Sequence, residues 1–195
     1  MRFEDFREFL EECEPFSKGW RGLVFRSRWQ GMEVAVKVAR DREREHALRK
    51  EGDILKLLKG IRGFPQLLHA GEDFIVYKFI EGVPFEKVLM DRKERTLVYL
   101  KVLELIQILD RLKINKEELH RLDKNTLVGE GLEVHLVDFE RGSLGVEKRH
   151  NLSQFLQLLV REGLVGFEEA KELGKRYARG EEVYREVERA LQTSL

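Results

Sequence analysis

Valines fall on every second position in Val34-Ala-Val-Lys-Val38, but apolar residues take helical spacing between Leu48 and Leu58. The chain therefore alternates between strand-like and helix-like periods. Phe3, Phe6, Phe9 and Leu10, with acids between them, predict a short amphipathic helix over 3–12 that covers the first part of the fold. Residues 20–39 alternate and are β-rich. Gln30-Gly31 supplies a hairpin turn between Val24-Phe25 and Val34-Ala-Val36. Residues 41–59 are charged at first and then apolar at Leu48, Ile54, Leu55 and Leu58, which predicts a helix closed by Gly60. Gly63-Phe-Pro65 breaks the chain, and the runs 67–70 and 74–79 predict two further strands joined at Gly71-Glu-Asp73.

Glu81-Gly-Val-Pro84 combines both chain breakers and is read as a linker. Beyond it, residues 95–112 are apolar nearly all round, a pattern that suits a helix at the centre of a lobe. The short runs 126–128 and 134–137 bracket Gly129-Glu-Gly131 and predict a small hairpin. Asn151 is expected to cap a helix over 152–161, and 167–191 reads as helical with a break near Gly180. No internal repeat or low-complexity tract interrupts this order. The reading is an α+β chain, with a β-sheet lobe over 1–82 and a reduced helical lobe over 83–195.

Lys plus Arg and Asp plus Glu each number 36, so the formal charge is zero. No global field then recruits nucleic acid or an anionic membrane. Charged residues make up 37% of the chain against 42% hydrophobic, a globular balance, and the dense charges of both signs resemble the surfaces of thermophile proteins. One cysteine, Cys13, cannot close an internal disulfide, and its neighbours Glu11, Glu12 and Glu14 disfavour a thiolate. The N-terminal residues lack the basic start and apolar run of a signal peptide, and no stretch of about 18 apolar residues is present for a membrane span. The expectation is a soluble cytoplasmic protein.

The candidate chemistry lies in segments about a hundred residues apart. Ser17-Lys-Gly-Trp-Arg-Gly-Leu-Val24 places Gly19 and Gly22 where a loop could approach phosphate oxygens closely. It leads into Val34-Ala-Val-Lys37, a strand that ends in a cation. Val137-Asp-Phe-Glu140 supplies a carboxylate after an apolar run, and Asn125 stands upstream of it. A carboxylate and an amide oxygen are the hard ligands that Mg²⁺ prefers.

These segments resemble the protein kinase superfamily. Ser17-x-Gly19-x-x-Gly22-x-Val24 is similar to its glycine-rich loop, and Val-Ala-Val-Lys37 to its Val-Ala-Ile-Lys strand. The resemblance implies ATP and Mg²⁺ as cofactors, with Lys37 on the phosphates and Asn125 and Asp138 on the metal. Glu51 is the best match for the glutamate that orients the lysine; Glu43 and Glu45 read better as a charged helix face. Tyr77-Lys78-Phe-Ile80 falls where the family reads adenine through main-chain groups, with Val24, Ala35 and Leu127 against the ring. Glu140 replaces the glycine of the family's Asp-Phe-Gly. The catalytic loop departs furthest: the residue five before Asn125 is His120, not aspartate. Glu118, then Asp123, then His120 are ranked as the group that orients an acceptor hydroxyl.

No Ala-Pro-Glu and no long activation segment follow Asp138. In this economy the chain looks like the minimal atypical kinases of archaea and bacteria, similar to RIO-like and lipopolysaccharide-kinase-like proteins. A Ser/Thr protein kinase is the first expectation. An ATP-binding pseudokinase and a small-molecule kinase are the alternatives, and the resemblance does not identify the phosphoacceptor.

Overall fold

The computed structural model describes residues 1–18 and 22–195. The chain is α+β and divides into two compact units, Met1–Glu81 with Asp138–Arg141, and Gly82–Val137 with Gly142–Leu195. The four-residue segment Asp138–Arg141 thus belongs with the N-terminal unit although the chain around it does not.

The first unit opens with α1 (Phe3–Phe6), continued by a 3-10 turn over Arg7–Phe9. Strand β1 (Glu11–Lys18) follows immediately, so the amphipathic helix expected over 3–12 stops short. Phe3 and Phe6 are buried against the sheet and Leu10 packs partly against the same cluster, whereas Phe9 remains largely exposed. Strands β2 (Gly22–Trp29) and β3 (Met32–Ala39) form a hairpin through Gln30 and Gly31, whose φ values of 51° and 75° are those a tight two-residue turn requires.

Helix α2 (Arg42–Leu57) is capped by Asp41, whose side chain accepts from the Arg44 amide, and ends before Gly60 at φ 79°. Strands β4 (Leu67–Ala70) and β5 (Phe74–Lys78) complete an antiparallel sheet in the order β1-β2-β3-β5-β4. Residues 34–38 are buried throughout because β3 is covered on both faces. Val34, Val36, Val38, Phe74 and Val76 meet Phe3 and Phe6 on one side. On the other side α2 packs against β3, β4 and β5.

The second unit begins with β6 (Val83–Pro84), in the segment read as linker, and then α3 (Arg92–Arg111). Helix α3 starts earlier than the apolar pattern suggests. Asp91 and Glu94 form a capping box, each side chain accepting from the other's amide at 2.8 and 3.0 Å. Strand β7 (Ile114–Asn115) later pairs with β10 (Ser143–Leu144), and β8 (Thr126–Val128) pairs with both β6 and β9 (Val134–Leu136). The helices α4 (Asn151–Arg161), α5 (Phe167–Ala178) and α6 (Tyr184–Gln192) complete the unit, with Gly180 at φ 89° between the last two. Helix α3 packs on α4 and α6, with Val98, Val102, Ile106 and Leu109 fully buried.

Asn151 does not cap α4. Its side chain points into the unit, accepting from the Lys116 amide at 2.9 Å and donating to Asp110 at 2.8 Å and to the Ile114 carbonyl at 2.7 Å. Asp110 also accepts from the Tyr177 and Tyr184 hydroxyls. No helix among the described residues is long and apolar enough to cross a membrane.

Candidate functional site

Strand register decides which side chains share a face. Lys37 on β3 lies opposite Val24 on β2 and Ile75 on β5, and Ala35 lies opposite Arg26 and Tyr77. Val24, Ala35, Lys37 and Tyr77 therefore occupy one face of the sheet, away from Phe3 and Phe6. Helix α2 covers part of that face, and Gly52 permits the approach: a Cβ there would lie 3.3 Å from the Ile75 side chain.

With α2 at that distance, Glu51 reaches the strand. Lys37 Nζ lies 2.7 Å from Glu51 Oε2, 2.8 Å from Glu140 Oε1 and 3.2 Å from Asp138 Oδ1. The other Glu51 oxygen accepts from the Phe139 amide at 3.1 Å, so one buried carboxylate holds both the lysine and the 138–141 segment. Phe139 is itself fully buried with its ring edge against Phe64. Glu45 is engaged by Arg2 at 2.6 Å, and Glu43 is exposed.

Three carboxylates surround one ammonium. Burial alone would push the Lys37 ammonium down, but Glu51, Asp138 and Glu140 outweigh it and hold the group well above its ordinary value. Burial pushes the Glu51 carboxyl up, against the pull of Lys37. Tyr77 is driven up to about 12, chiefly by burial of its hydroxyl. Glu51 and Glu140 are buried, whereas Asp138 keeps 44% of its side-chain surface and sits at φ 63°. Few non-glycine residues adopt that left-handed region, and aspartate is among those that do so most readily.

One oxygen from each of Glu51, Asp138 and Glu140 lies within 4.8 Å of the others, a set of hard ligands that could hold a metal ion. Lys37 already occupies the middle of that set. A divalent ion there would meet the ammonium's charge at close range, so Asp138, the carboxylate open to solvent, is the group best placed to receive one. Glu140, read from the sequence only as the loss of a glycine, proves to be a buried partner of the lysine. Its signal was the i, i+2 spacing of acids around a buried aromatic in Asp-Phe-Glu.

Not all the sequence candidates take the form expected. Ser17 lies in β1, paired with Val24, and is not part of a loop. Strand β1 continues through it because β2 offers an unpaired edge. Gly19 falls outside the described residues. Gly22 is the first residue of β2, where a Cβ would come within 2.8 Å of the Val38 carbonyl, so close strand packing demands a glycine there. Along Tyr77-Lys-Phe-Ile80, the Lys78 and Phe79 amides donate to the Gln66 and Glu33 carbonyls at 3.0 and 3.1 Å. Those two amides are thus engaged within the unit, and the half-buried Ile80 lies just past the end of β5.

In the second unit, Asn125 precedes β8, and its carbonyl accepts from the Val137 amide at 2.9 Å, which ties it to the residue before Asp138. Its side-chain oxygen accepts from Thr126 at 3.3 Å. Leu127 on β8 is half-buried opposite His135 and Pro84. Glu118 lies 3.7 Å from Arg121, with 20% of its side chain exposed. Asp123 is half-buried, its carbonyl accepting from the Glu86 amide, and His120 is half-buried in the same loop. Comparison with protein-family models and with curated proteins finds no match to this chain.

Proposed function

We propose that this chain is a Mg-ATP-dependent phosphotransferase with the two-lobed organisation of the protein-kinase superfamily, acting as an atypical Ser/Thr protein kinase. The observation that carries the reading is the Lys37–Glu51–Asp138 constellation. Sequence motifs assign these residues three complementary roles in phosphate and metal handling, and a strand, a helix and a segment a hundred and one residues away bring them within 3.2 Å of the same ammonium.

Phosphoryl transfer depends mainly on position and electrostatics. In this reading Lys37, oriented by Glu51, meets the phosphates. Asp138 holds Mg²⁺ with Asn125, assigned by its motif, as the further oxygen ligand; the ion would neutralise charge on the transferred group. The family resemblance assigns Val24, Ala35, Tyr77 and Leu127 to the base, and Glu118 or Asp123 to the acceptor hydroxyl.

The test is stepwise. Mg-ATP should raise the melting temperature of the purified protein, and labelled phosphate should pass from ATP to a generic Ser/Thr substrate or to the chain itself. Asp138→Asn should abolish transfer and the Mg²⁺ dependence of binding. No thermal shift at millimolar nucleotide would sink the reading. The departure at His120, where the family has its aspartate, favours one second reading: an ATP-binding regulatory module. Nucleotide binding without transfer to protein or small-molecule hydroxyls is the result that would favour it.

A further inference from the structure

The buried face of α2 does not begin with an apolar residue. Glu45, Leu48, Gly52 and Leu55 are all buried at the spacing of one helix face, and the first of them is an acid. A buried carboxylate needs a partner, and this one finds it 43 residues away. Arg2 Nη2 donates to Glu45 Oε1 at 2.6 Å and lies 3.1 Å from Asp73 Oδ2, so one nitrogen joins α2 to the turn between β4 and β5. The other oxygen of the buried Asp73 accepts from the Phe3 amide at 2.8 Å. The Asp73 carbonyl accepts from the Ala39 amide at 2.8 Å, two residues beyond Lys37 on the same strand. Phe3 is seated on the face of β3 that carries Val34, Val36 and Val38, opposite α2. This clasp therefore connects the helix that carries Glu51 with the end of the strand that carries Lys37.

Glu51 stands six residues beyond Glu45, about 9 Å along the helix axis. Apolar packing alone lets a helix slide over its neighbours by a small shear, whereas a hydrogen-bonded ion pair fixes direction and distance. We propose that Arg2 is a positioning residue: by holding Glu45 against Asp73 it sets the register of α2 on the sheet and so delivers Glu51 to the Lys37 ammonium. The inference deepens the phosphotransferase reading above, which rests on that pair, but the alignment itself can be measured without nucleotide. Arg2 acts through α2. Its own side chain is partly exposed, so it contributes placement more than stability.

Brief labelling of amines with acetic anhydride, read peptide by peptide in a mass spectrometer, tests this on the full chain. Arg2→Ala should raise Lys37 acetylation about three- to tenfold, because an ammonium that loses the Glu51 carboxylate gives up its proton more readily. Lys56, exposed on the same helix, and Lys116, buried in the second unit, should keep their parent rates. Glu45→Ala should match Arg2→Ala, and the double variant should be no worse than either, since both break one contact. Arg2→Lys should restore most of the protection, because a single nitrogen makes both contacts. In phosphate transfer the same ranking should appear as a rise of about three- to tenfold in the KM for ATP, with a smaller change in kcat.

Unchanged Lys37 labelling in Arg2→Ala overturns the inference. So does a rise shared by Lys116, which would mean general opening of the chain, and so does an Arg2→Lys protein that labels like Arg2→Ala. Losses that add in the double variant would show that the two residues act separately, and would overturn it as well. A parent chain with no affinity for ATP overturns the phosphotransferase reading instead, and the labelling still decides whether Arg2 places Glu51.

Discussion

A lysine ammonium buried on a strand is tolerable only while its charge is matched, and Lys37 is matched by three carboxylates. Removing it takes the cation away from the buried Glu51 carboxylate. Lys37→Met should therefore cost about 3–5 kcal/mol, the usual result of breaking a buried pair from one side. Urea unfolding would show it as a lower midpoint with an unchanged slope, and a midpoint equal to wild type would mean that the carboxylates find other compensation. Asp138 should behave in the opposite way. It is partly exposed, it crowds two other acids and it holds φ at 63°. Asp138→Gly relieves both burdens and should stabilise the fold by roughly 0.5–1 kcal/mol while eliminating Mg²⁺-dependent nucleotide binding. Stability and function would then be opposed at one residue, a trade-off expected where an acid is held for chemistry.

At the scale of elements, the position of α2 decides whether Glu51 reaches Lys37, and Gly52 sets that position. Its Cβ-free surface lies against Ile75, with 3.3 Å left for even one added carbon. Gly52→Val adds three carbons where one is already tight. Overpacking of this kind costs about 1–3 kcal/mol and should displace the helix enough to stretch the 2.7 Å Glu51–Lys37 contact. ATP affinity, measured calorimetrically, should fall severalfold in a variant whose mutation touches neither charge, and retention of wild-type affinity would show that α2 can slide without losing the pair.

The same helix was legible in the sequence, since Asp41, the apolar run from Leu48 to Leu58 and Gly60 mark its start, face and end. So were β2 and β3, because Val34, Val36 and Val38 alternate against a cover of phenylalanines. Strand β1 was not legible. Glu11-Glu-Cys-Glu-Pro has no alternation to read, because an exposed edge strand is held by its hydrogen bonds to β2 and buries little. Glu140 and the inward turn of Asn151 were hidden for a different reason. Each is a polar side chain whose partners lie at least 35 residues away and are brought near only by the fold.

At the scale of the whole molecule, all four tyrosines are held above the usual phenol value, and burial is the leading cause at each. Tyr177 and Tyr184 are pushed further because their hydroxyls donate to Asp110. The raised groups keep their protons in the folded chain at a pH where the unfolded chain, with phenols near about 10, releases them. The stability they contribute is complete below that pH and is lost as pH climbs through the folded values. Absorbance at 295 nm should accordingly stay flat through about pH 10, and then rise in a cooperative step as the protein unfolds.

Tyr77, whose ring keeps some exposure, should be the first to depart from that step, near about 12. The tyrosines also separate the two compact units, since Tyr99, Tyr177 and Tyr184 belong to the second and Tyr77 to the first. Both tryptophans, Trp20 and Trp29, lie within 1–81. Tryptophan emission followed alongside the absorbance therefore reports the first unit against a signal dominated by the second. Coincident transitions would mean that the units unfold as one. An emission change that precedes the absorbance step, and that Mg-ATP moves to higher pH, would assign the ligand's stabilisation to the unit that carries Lys37, Glu51, Asp138 and Glu140. A single tyrosine ionising near pH 10 in a protein of native emission would refute the burial argued for that residue.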